Sequence, residues 1–488
     1  MKKQVYIIGS GFSALSASCY LAKAGYNVTV LEKNDTLGGR ARQYKKEGFT
    51  FDLGPSWYWM PDVFERFFAD FGKKPSDYYT LDKLSPGYEV YFGDRSSVKI
   101  ASKLEEIYDL FEKEEKGSAK HLKTFLDSAK ANYDTAIKDL VYKPGISPLE
   151  LVNTTTISRV TQFFSTIRKQ VRKNIKSQKL IQILEFPVLF LGAKPDNTPA
   201  FYNFMNYADF GLGTWHPRGG MYKVVEGMVA LAETLGVQFR TSANVSKILI
   251  DAQKNVSGLL VNGEKIEANL VLSGADYHHT ETLLDENVRQ YSEKYWDKKT
   301  FAPSSLLFYV GFDKKIKNAS HHTLFFDTDF DAHAEEIYDN PKWPTDPLFY
   351  ANFTSMTDTT SAPEGKEAGF FLIPLAPGIE DTEALREQYF EKIMDRFEKL
   401  IHQEIRNSIL FKRSFCVNDF KEEYNSYKGN AYGMANTLLQ TAFLRPNIKS
   451  SKVGNLFFTG QLTVPGPGVP PALISGKLAS ELIIKKQS

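Results

Sequence analysis

The spacing of apolar and polar positions changes period twice within the first 32 residues. QVYIIGS is a short apolar run closed by glycine, FSALSASCYLAKAG carries apolar residues at helical spacing and ends at Gly25, and NVTVLEK is a second strand-like run. This predicts a β-α-β unit of about 30 residues with parallel strands and a right-handed crossover. Strand-type alternation returns over residues 237–263, read as a meander turning near Asn255, then over 269–276 and over GNLFFTG (454–460). The last run leads through a Pro/Gly-rich turn into a helix, ALISGKLASELIIKK. Residues 101–186 are charged and helical in period, whereas 301–450 combine aromatic-rich strands with one long amphipathic helix over 381–405. LLFYVGF (306–312) and FFLIPLA (370–376) fall short of the ~18 apolar residues a membrane-spanning helix needs, and read as buried strands. Parallel-sheet signals thus open, interrupt and close the chain, so the expected α/β fold has domains interleaved in sequence.

Length and charge narrow the functional classes. The chain has 488 residues, room for two to four structural units, and its 60 Lys+Arg against 58 Asp+Glu leave a net charge of +2. No global basic field exists to neutralise phosphates, so nucleic acid is not an expected partner. Two cysteines, Cys19 and Cys416, make neither a disulfide framework nor a thiolate cluster. The pairs His278–His279 and His321–His322 lack the i,i+4 spacing of a zinc helix, so no metal site is expected. The reading is of a cytoplasmic protein without an export signal.

Candidate chemistry concentrates at the first turn. Gly9-Ser10-Gly11-Phe12-Ser13-Ala14 fits G-x-G-x-x-G/A between a predicted strand and helix. Gly9 permits the tight turn, Gly11 leaves room for a pyrophosphate at the helix N-terminus, and Ala14 lets the helix approach the sheet. Glu32, with Lys33 beside it, ends the second strand where a carboxylate accepts from a ribose diol. Gly38-Gly39-Arg40 and Asp52-Leu53-Gly54-Pro55 follow, more close-approach glycines than an NAD dehydrogenase needs.

These N-terminal motifs resemble the large group of amine-oxidase-like flavoproteins. The resemblance implies FAD in an extended conformation, with Gly38, Gly39, Gly54 and Pro55 packing it, Arg40 serving the pyrophosphate, and Val245 meeting adenine through its backbone. NLFFTGQLTVPGPGVPPALISG (455–476) is more specific and resembles the signature of bacterial-type phytoene desaturases. Matching positions include Asn455, Gly460, Thr463, Pro465, Gly466, Gly468, Val469 and Gly476. The sequence departs at Gln461 and Leu462, where small residues are usual, and at Val464. Residues 210–239 resemble the same family. A helix starting near Val469 would aim about half a positive charge at the flavin.

The resemblance implies a Rossmann-like FAD-binding domain (1–72, 217–278 and 450–488), an antiparallel-sheet substrate domain (73–100, 201–216 and 279–449) and a helical lid or membrane-docking region (101–200). It implies stepwise desaturation of a lipid-dissolved carotenoid, phytoene towards lycopene, with oxygen or a quinone as electron acceptor. A later-step desaturase, ketolase or isomerase would share every motif, while a polar-substrate amine oxidase is a further alternative. Asp209 and Glu150 are the candidate bases for the proton lost after hydride removal. The basic segment 160–184, with Val160, Phe164, Ile167, Val171 and Ile175 at helical spacing, reads either as a helix docking the inner face of the membrane or as one packed on the protein's own core.

Overall fold

The computed structural model describes residues 3–138, 140–147, 150 and 160–487. Part of the expected lid, residues 139, 148–149 and 151–159, lies outside them. A five-stranded, wholly parallel sheet is centred on Gln4–Ile8, with Asn27–Leu31 on one side and Val271–Ser273 on the other. Gln238–Arg240 and Leu456–Phe458 form its edges. Five short strands drawn from the beginning, middle and end of the chain therefore build one sheet, which is the interleaving the sequence predicts. Gln238–Arg240 differs from the predicted meander. It joins the parallel sheet, and only Val245–Ile250, Val256–Val261 and Glu264–Glu267 form the antiparallel meander.

The two chain ends pack directly. The opening helix Phe12–Lys23 lies along the terminal helix Val469–Gln487, with Ser16 Oγ donating to Leu473 O at 2.7 Å and Ser480 Oγ to Ala17 O at 3.2 Å. A Cβ at Gly476 would fall 2.3 Å from Ser13 O, so only glycine allows this approach.

A seven-stranded sheet forms the second layer, in the order Ile409–Phe415, Ser304–Phe312, Glu367–Leu375, Phe349–Asn352, His322–Phe326, Tyr88–Phe92 and Ser97–Ile100. Its strands pair antiparallel, except that Tyr88–Phe92 runs parallel to His322–Phe326. Side chains alternate between its faces. Phe308, Phe325 and Phe371 face the helix Glu383–Ile401, where Phe390 and Phe397 meet them edge-on at ring separations of 4.9–5.5 Å. Leu307, Leu324, Tyr350 and Leu372 point the other way and line a cavity.

The segment 160–184 corrects one sequence expectation. It forms three short helices, Val160–Phe163, Ile167–Arg172 and Gln178–Glu185, rather than one. Thr166 caps the second, its hydroxyl accepting from Lys169 N. Ile167, Val171 and Ile175 are buried in the protein's own core. Arg172 pairs with Glu185 and Lys179 with Asp94, both at 2.8 Å. The apolar stripe is used internally and part of the charge is neutralised, so the segment is not a free amphipathic helix.

Candidate active site

Three glycine-bearing turns converge above the parallel sheet. Gly9 adopts φ +86° and donates to Leu31 O at 2.7 Å, closing the strand–helix turn. Gly11 is extended (φ −67°, ψ 171°), and a Cβ there would meet nothing within 4 Å because it would enter the cavity. A Cβ on Gly39 would sit 3.2 Å from Gly11 Cα, and one on Gly54 only 2.3 Å from Arg40 O. These turns are stacked backbone on backbone. Ser10 ties them together: its N–H and hydroxyl donate to Glu32 Oε2 at 3.0 and 2.6 Å, while Gly38 N donates to its Oγ at 3.1 Å. Glu32 Oε1 accepts from Asn34 N, so the carboxylate is fixed at the cavity wall. Asp52, at the head of the second motif, accepts from Met221 N and Tyr222 N and anchors the helix Tyr222–Thr234.

Arg40 is the charge of the site. Gln461, its amide oxygen turned towards Arg40, accepts from both terminal nitrogens at 2.9 and 3.0 Å. The Nε is sealed from solvent without a partner, and no described carboxylate forms an ion pair with this guanidinium. Burial pulls its pKa down, opposed by the charge of Asp276. Gln461 was legible only as a departure from the family signature; here it orients the arginine. From the other chain end, Gly460 (φ +112°) and Gly468 (φ +113°) shape a turn that delivers Val469 and the first turn of the terminal helix to the same cavity. Pro470 and Pro471 occupy positions where backbone donors have no intrahelical acceptor. Val245 lines the far end, and Pro55 follows the Gly54 crossing.

Ala14 takes the packing role its place in the motif predicts, and Lys33 is tethered at the cavity edge. Ala14 does not reach the cavity; it packs against Gly274, where an added Cβ would lie 2.9 Å away, and so sets helix-to-sheet spacing. Lys33 lines the cavity, and its ammonium is tethered to another loop through Glu422 O at 2.6 Å and Asn425 Oδ1 at 3.4 Å.

The same cavity, about 640 Å³, continues from these turns across the face of the seven-stranded sheet. There it is walled by Leu307, Leu324, Phe326, Phe186, Phe190 and Leu372. Neither predicted base fits it well. Asp209 is buried in the turn Tyr207–Gly211, outside the lining, and accepts the Tyr88 hydroxyl at 2.8 Å. Burial pushes its carboxyl well above its ordinary value, against the hydrogen bond from Tyr88, which disfavours the charged form a base would need. Glu150 does line the cavity, but its oxygens accept from Gly145 N and Ile146 N, which makes it a loop tether. Sequence reasoning missed Ser56, Trp57, Tyr350 and His322, a polar and aromatic cluster whose members are 28 or more positions apart except for the Ser56–Trp57 neighbours.

A ready-made glycine cradle, an open position at Gly11 and an incompletely paired buried guanidinium suit the pyrophosphate of a dinucleotide. Residues 12–484 match the flavin-containing amine oxidoreductase family. A carotenoid 3,4-desaturase from Haloarcula japonica is 41% identical over 487 residues, covering 99% of this chain and 98% of the relative. A zeta-carotene-forming phytoene desaturase from Myxococcus xanthus is 30% identical over 491 residues, covering 99% and 94%. The crystal structure of an oxidoreductase from Methanosarcina mazei shares the fold, with a TM-score of 0.63 at 17% identity over 98% of this chain and 100% of that one. The chain thus belongs to the flavin-containing amine oxidoreductases, in their carotenoid-desaturase branch, and is an FAD oxidoreductase that acts on CH–CH bonds.

Proposed function

We propose that this enzyme desaturates a carotenoid hydrocarbon, phytoene stepwise towards lycopene, with oxygen or a membrane quinone taking the electrons. The observation that carries the reading is one continuous cavity, glycine-lined where it meets the dinucleotide motifs and apolar across the antiparallel sheet. Bound along Gly11, Glu32, Arg40 and Val469, FAD supplies a hydride acceptor. The protein holds the chain of the substrate against Leu307, Leu324 and Leu372 and keeps water from the reacting carbon.

A C40 hydrocarbon gains ~0.8 kcal/mol per CH2 on leaving water but almost nothing on leaving a bilayer, so the enzyme must draw it from lipid. Exposed apolar side chains border the cavity in one region. Ile146 (66% exposed), Phe164 (79%) and Leu439 (75%) stand beside the lining residues Gly145, Phe163 and Thr441. Contacts join these loops: Phe163 stacks on Phe201 at 4.7 Å, Tyr202 and Thr441 share a hydrogen bond of 2.8 Å, and a Cβ at Gly145 would lie 3.3 Å from Ala442 O. This apolar rim is the proposed membrane contact, to which segment 160–184 contributes Phe164 rather than a whole helix. Among the described residues no helix is long and apolar enough to cross a membrane.

The 41% identity to a 3,4-desaturase favours a second reading, in which the substrate is an already conjugated acyclic carotenoid. Incubation with phytoene or with lycopene in liposomes, in the presence of FAD, followed by chromatographic separation of coloured products, decides. Conversion of phytoene supports the first reading; conversion of lycopene alone supports the second; turnover of neither overturns both.

A further inference from the structure

Removal of hydride leaves a carbocation that must lose a proton, and the two carboxylates singled out by sequence are occupied elsewhere. His333, another lining residue, is also fully engaged: one ring nitrogen accepts from Leu348 N at 3.0 Å and the other meets Pro374 O at 3.0 Å. A different polar group opens onto the apolar cavity. Ser56 and Tyr350 both line it, with their hydroxyls 3.0 Å apart, and the Tyr350 hydroxyl lies 2.6 Å from His322 Nδ1.

The surroundings fix the direction of this chain. Asn352 donates one amide hydrogen to His321 O at 3.0 Å and approaches His322 Nδ1 with its Nδ2 at 3.2 Å. With the Asn352 amide nitrogen, a donor only, facing it, Nδ1 is the acceptor and the ring proton sits on Nε2, which has no partner. Tyr350 therefore donates to His322, and Ser56 donates to Tyr350. The oxygen of Ser56 is left to accept from the cavity side. Ser56 follows the Gly54–Pro55 crossing over Arg40, whereas Tyr350 sits on the substrate sheet, so their bond spans the junction of cofactor motifs and hydrocarbon channel.

Resting on the desaturase reading, we propose that Ser56 is the proton-accepting catalytic residue and that Tyr350 and His322 act through it as positioning residues of a proton relay. With FAD held along the glycine cradle as the two-electron acceptor, the substrate would lose a hydride and be left as the carbocation. An adjacent C–H bond then breaks, its electron pair becoming the second bond of the new C=C. The proton attaches to Ser56 Oγ as the serine proton passes to Tyr350 Oη and the tyrosine proton to His322 Nδ1, giving an imidazolium and an uncharged polyene. Burial depresses the His322 pKa well below its ordinary value, with His216 adding to it, so the ring rests neutral and able to accept. A carbocation is a far stronger acid than any imidazolium, so a depressed imidazole still takes its proton.

One aromatic face meets the new charge. Trp57 stacks on His322 at 4.1 Å and 10°, presenting a π face. Behind it His321 lies 4.5 Å from His322 and 4.8 Å from His216, which meets Asp358 Oδ2 at 3.0 Å. Burial pushes Asp358 up, but hydrogen bonds from His216, Thr360 and Gly219 outweigh it and keep the carboxylate ionised. Among the described residues no His, Cys, Asp or Glu set is arranged to hold a metal ion.

The test compares Tyr350→Phe, Ser56→Ala and Ser56→Thr with the wild type in liposomes, after checking flavin content and melting temperature. We expect kcat to fall ten- to hundredfold in the first two with KM unchanged, and Ser56→Thr to stay within threefold. In cofactor-free protein, 15N-histidine NMR should show His322 neutral with its proton on Nε2, and its Nδ1 resonance should move in Tyr350→Phe. Wild-type turnover in both Tyr350→Phe and Ser56→Ala, or a proton on Nδ1, would overturn the relay. If one variant fails to fold, the other decides. A wild-type enzyme that desaturates no carotenoid would overturn the desaturase reading itself and the relay with it, a result distinct from active wild type with active variants.

Discussion

Replacement of Arg40 by methionine separates a cofactor-binding role from a structural one. The methionine keeps the aliphatic stem and removes a guanidinium that Gln461 satisfies only at its two terminal nitrogens. A hydrogen bond to a charged partner contributes about 1.5–3 kcal/mol, and ~1.4 kcal/mol is a tenfold change in affinity. The dissociation constant for FAD should therefore rise roughly ten- to hundredfold. In the cofactor-free protein the same substitution removes an incompletely paired buried charge, which is neutral or stabilising. Its melting temperature should hold or rise, while the increment gained on adding FAD shrinks as the affinity falls. Flavin fluorescence titration of deflavinated protein and calorimetry with and without FAD measure both quantities. An unchanged FAD affinity alongside a cofactor-free protein melting several degrees lower would refute the argument, because it would make Arg40 a staple of the fold.

Gly11→Val should abolish FAD retention while the cofactor-free protein melts within a few degrees of wild type, since φ −67°, ψ 171° suits valine and a Cβ there meets nothing within 4 Å; retained yellow colour after gel filtration would contradict this. Asp209→Asn should leave kcat/KM within about threefold, against the ~10²–10⁴ lost with a true general base, because the carboxyl lies outside the cavity lining and is bonded to Tyr88. The double variant Phe164→Asp/Leu439→Asp should lower vesicle partitioning by at least about a hundredfold, as two large side chains forfeit roughly 1.5–3 kcal/mol each; flotation assays read it. Burial raises Asp52 to about 6 from its ordinary 3.8, against hydrogen bonds from Met221 and Tyr222. The folded state then holds the proton more tightly than the unfolded chain, so its stabilising contribution is full below about pH 4 and is lost as pH rises through 6. The loss is of order 3 kcal/mol at ~1.4 per pKa unit. Urea denaturation between pH 4 and 7 should show that slope, flattened in Asp52→Asn.

What was legible in the sequence was local. The strand–turn–helix at Gly9–Ala14 is set by residues within a few positions of each other, and the Pro/Gly turn before Val469 likewise. The segment 160–184 shows where periodicity misleads. Its apolar spacing is real, and Ile167, Val171 and Ile175 are buried, but the polar turn at Ser165–Thr166 and the one before Gln178 break the helix, and the stripe faces inward. Ala14 packs on Gly274 as its place in the motif predicts, whereas the tie from Lys33 to Glu422 joins residues 389 positions apart and could not be read locally. The cluster at Ser56, Tyr350 and His322 was not legible at all. Ser56 and Tyr350 lie 294 positions apart and meet only because the sheet places Tyr350 and the Gly54 crossing places Ser56. Gln461 carried a usable signal, an amide where the family tolerates small residues, but its partner Arg40 is known only from the folded chain.

The state of each polar atom distinguishes residues that build the cavity from those that await a ligand. Arg445 and Arg40 are both deeply buried guanidiniums near the terminal turn. Arg445 places all five of its donors: Nε on Thr463 O, one terminal nitrogen on Asn436 Oδ1 and Gln440 O, the other on Met434 O and Gln461 O. It clamps the loop that carries Gly460 and has no capacity left for substrate or cofactor. Arg40 keeps an orphaned Nε beside the glycine cradle. The histidines divide the same way, since both ring nitrogens of His333 are engaged within the protein whereas His322 has an open Nε2 and a hydroxyl chain leading to the cavity. Burying a polar atom without a partner costs about 1–3 kcal/mol, more when it is charged. The fold leaves one such atom on Arg40, beside the glycine cradle where a bound pyrophosphate can offset the cost, and another on His322, behind the Ser56–Tyr350 pair.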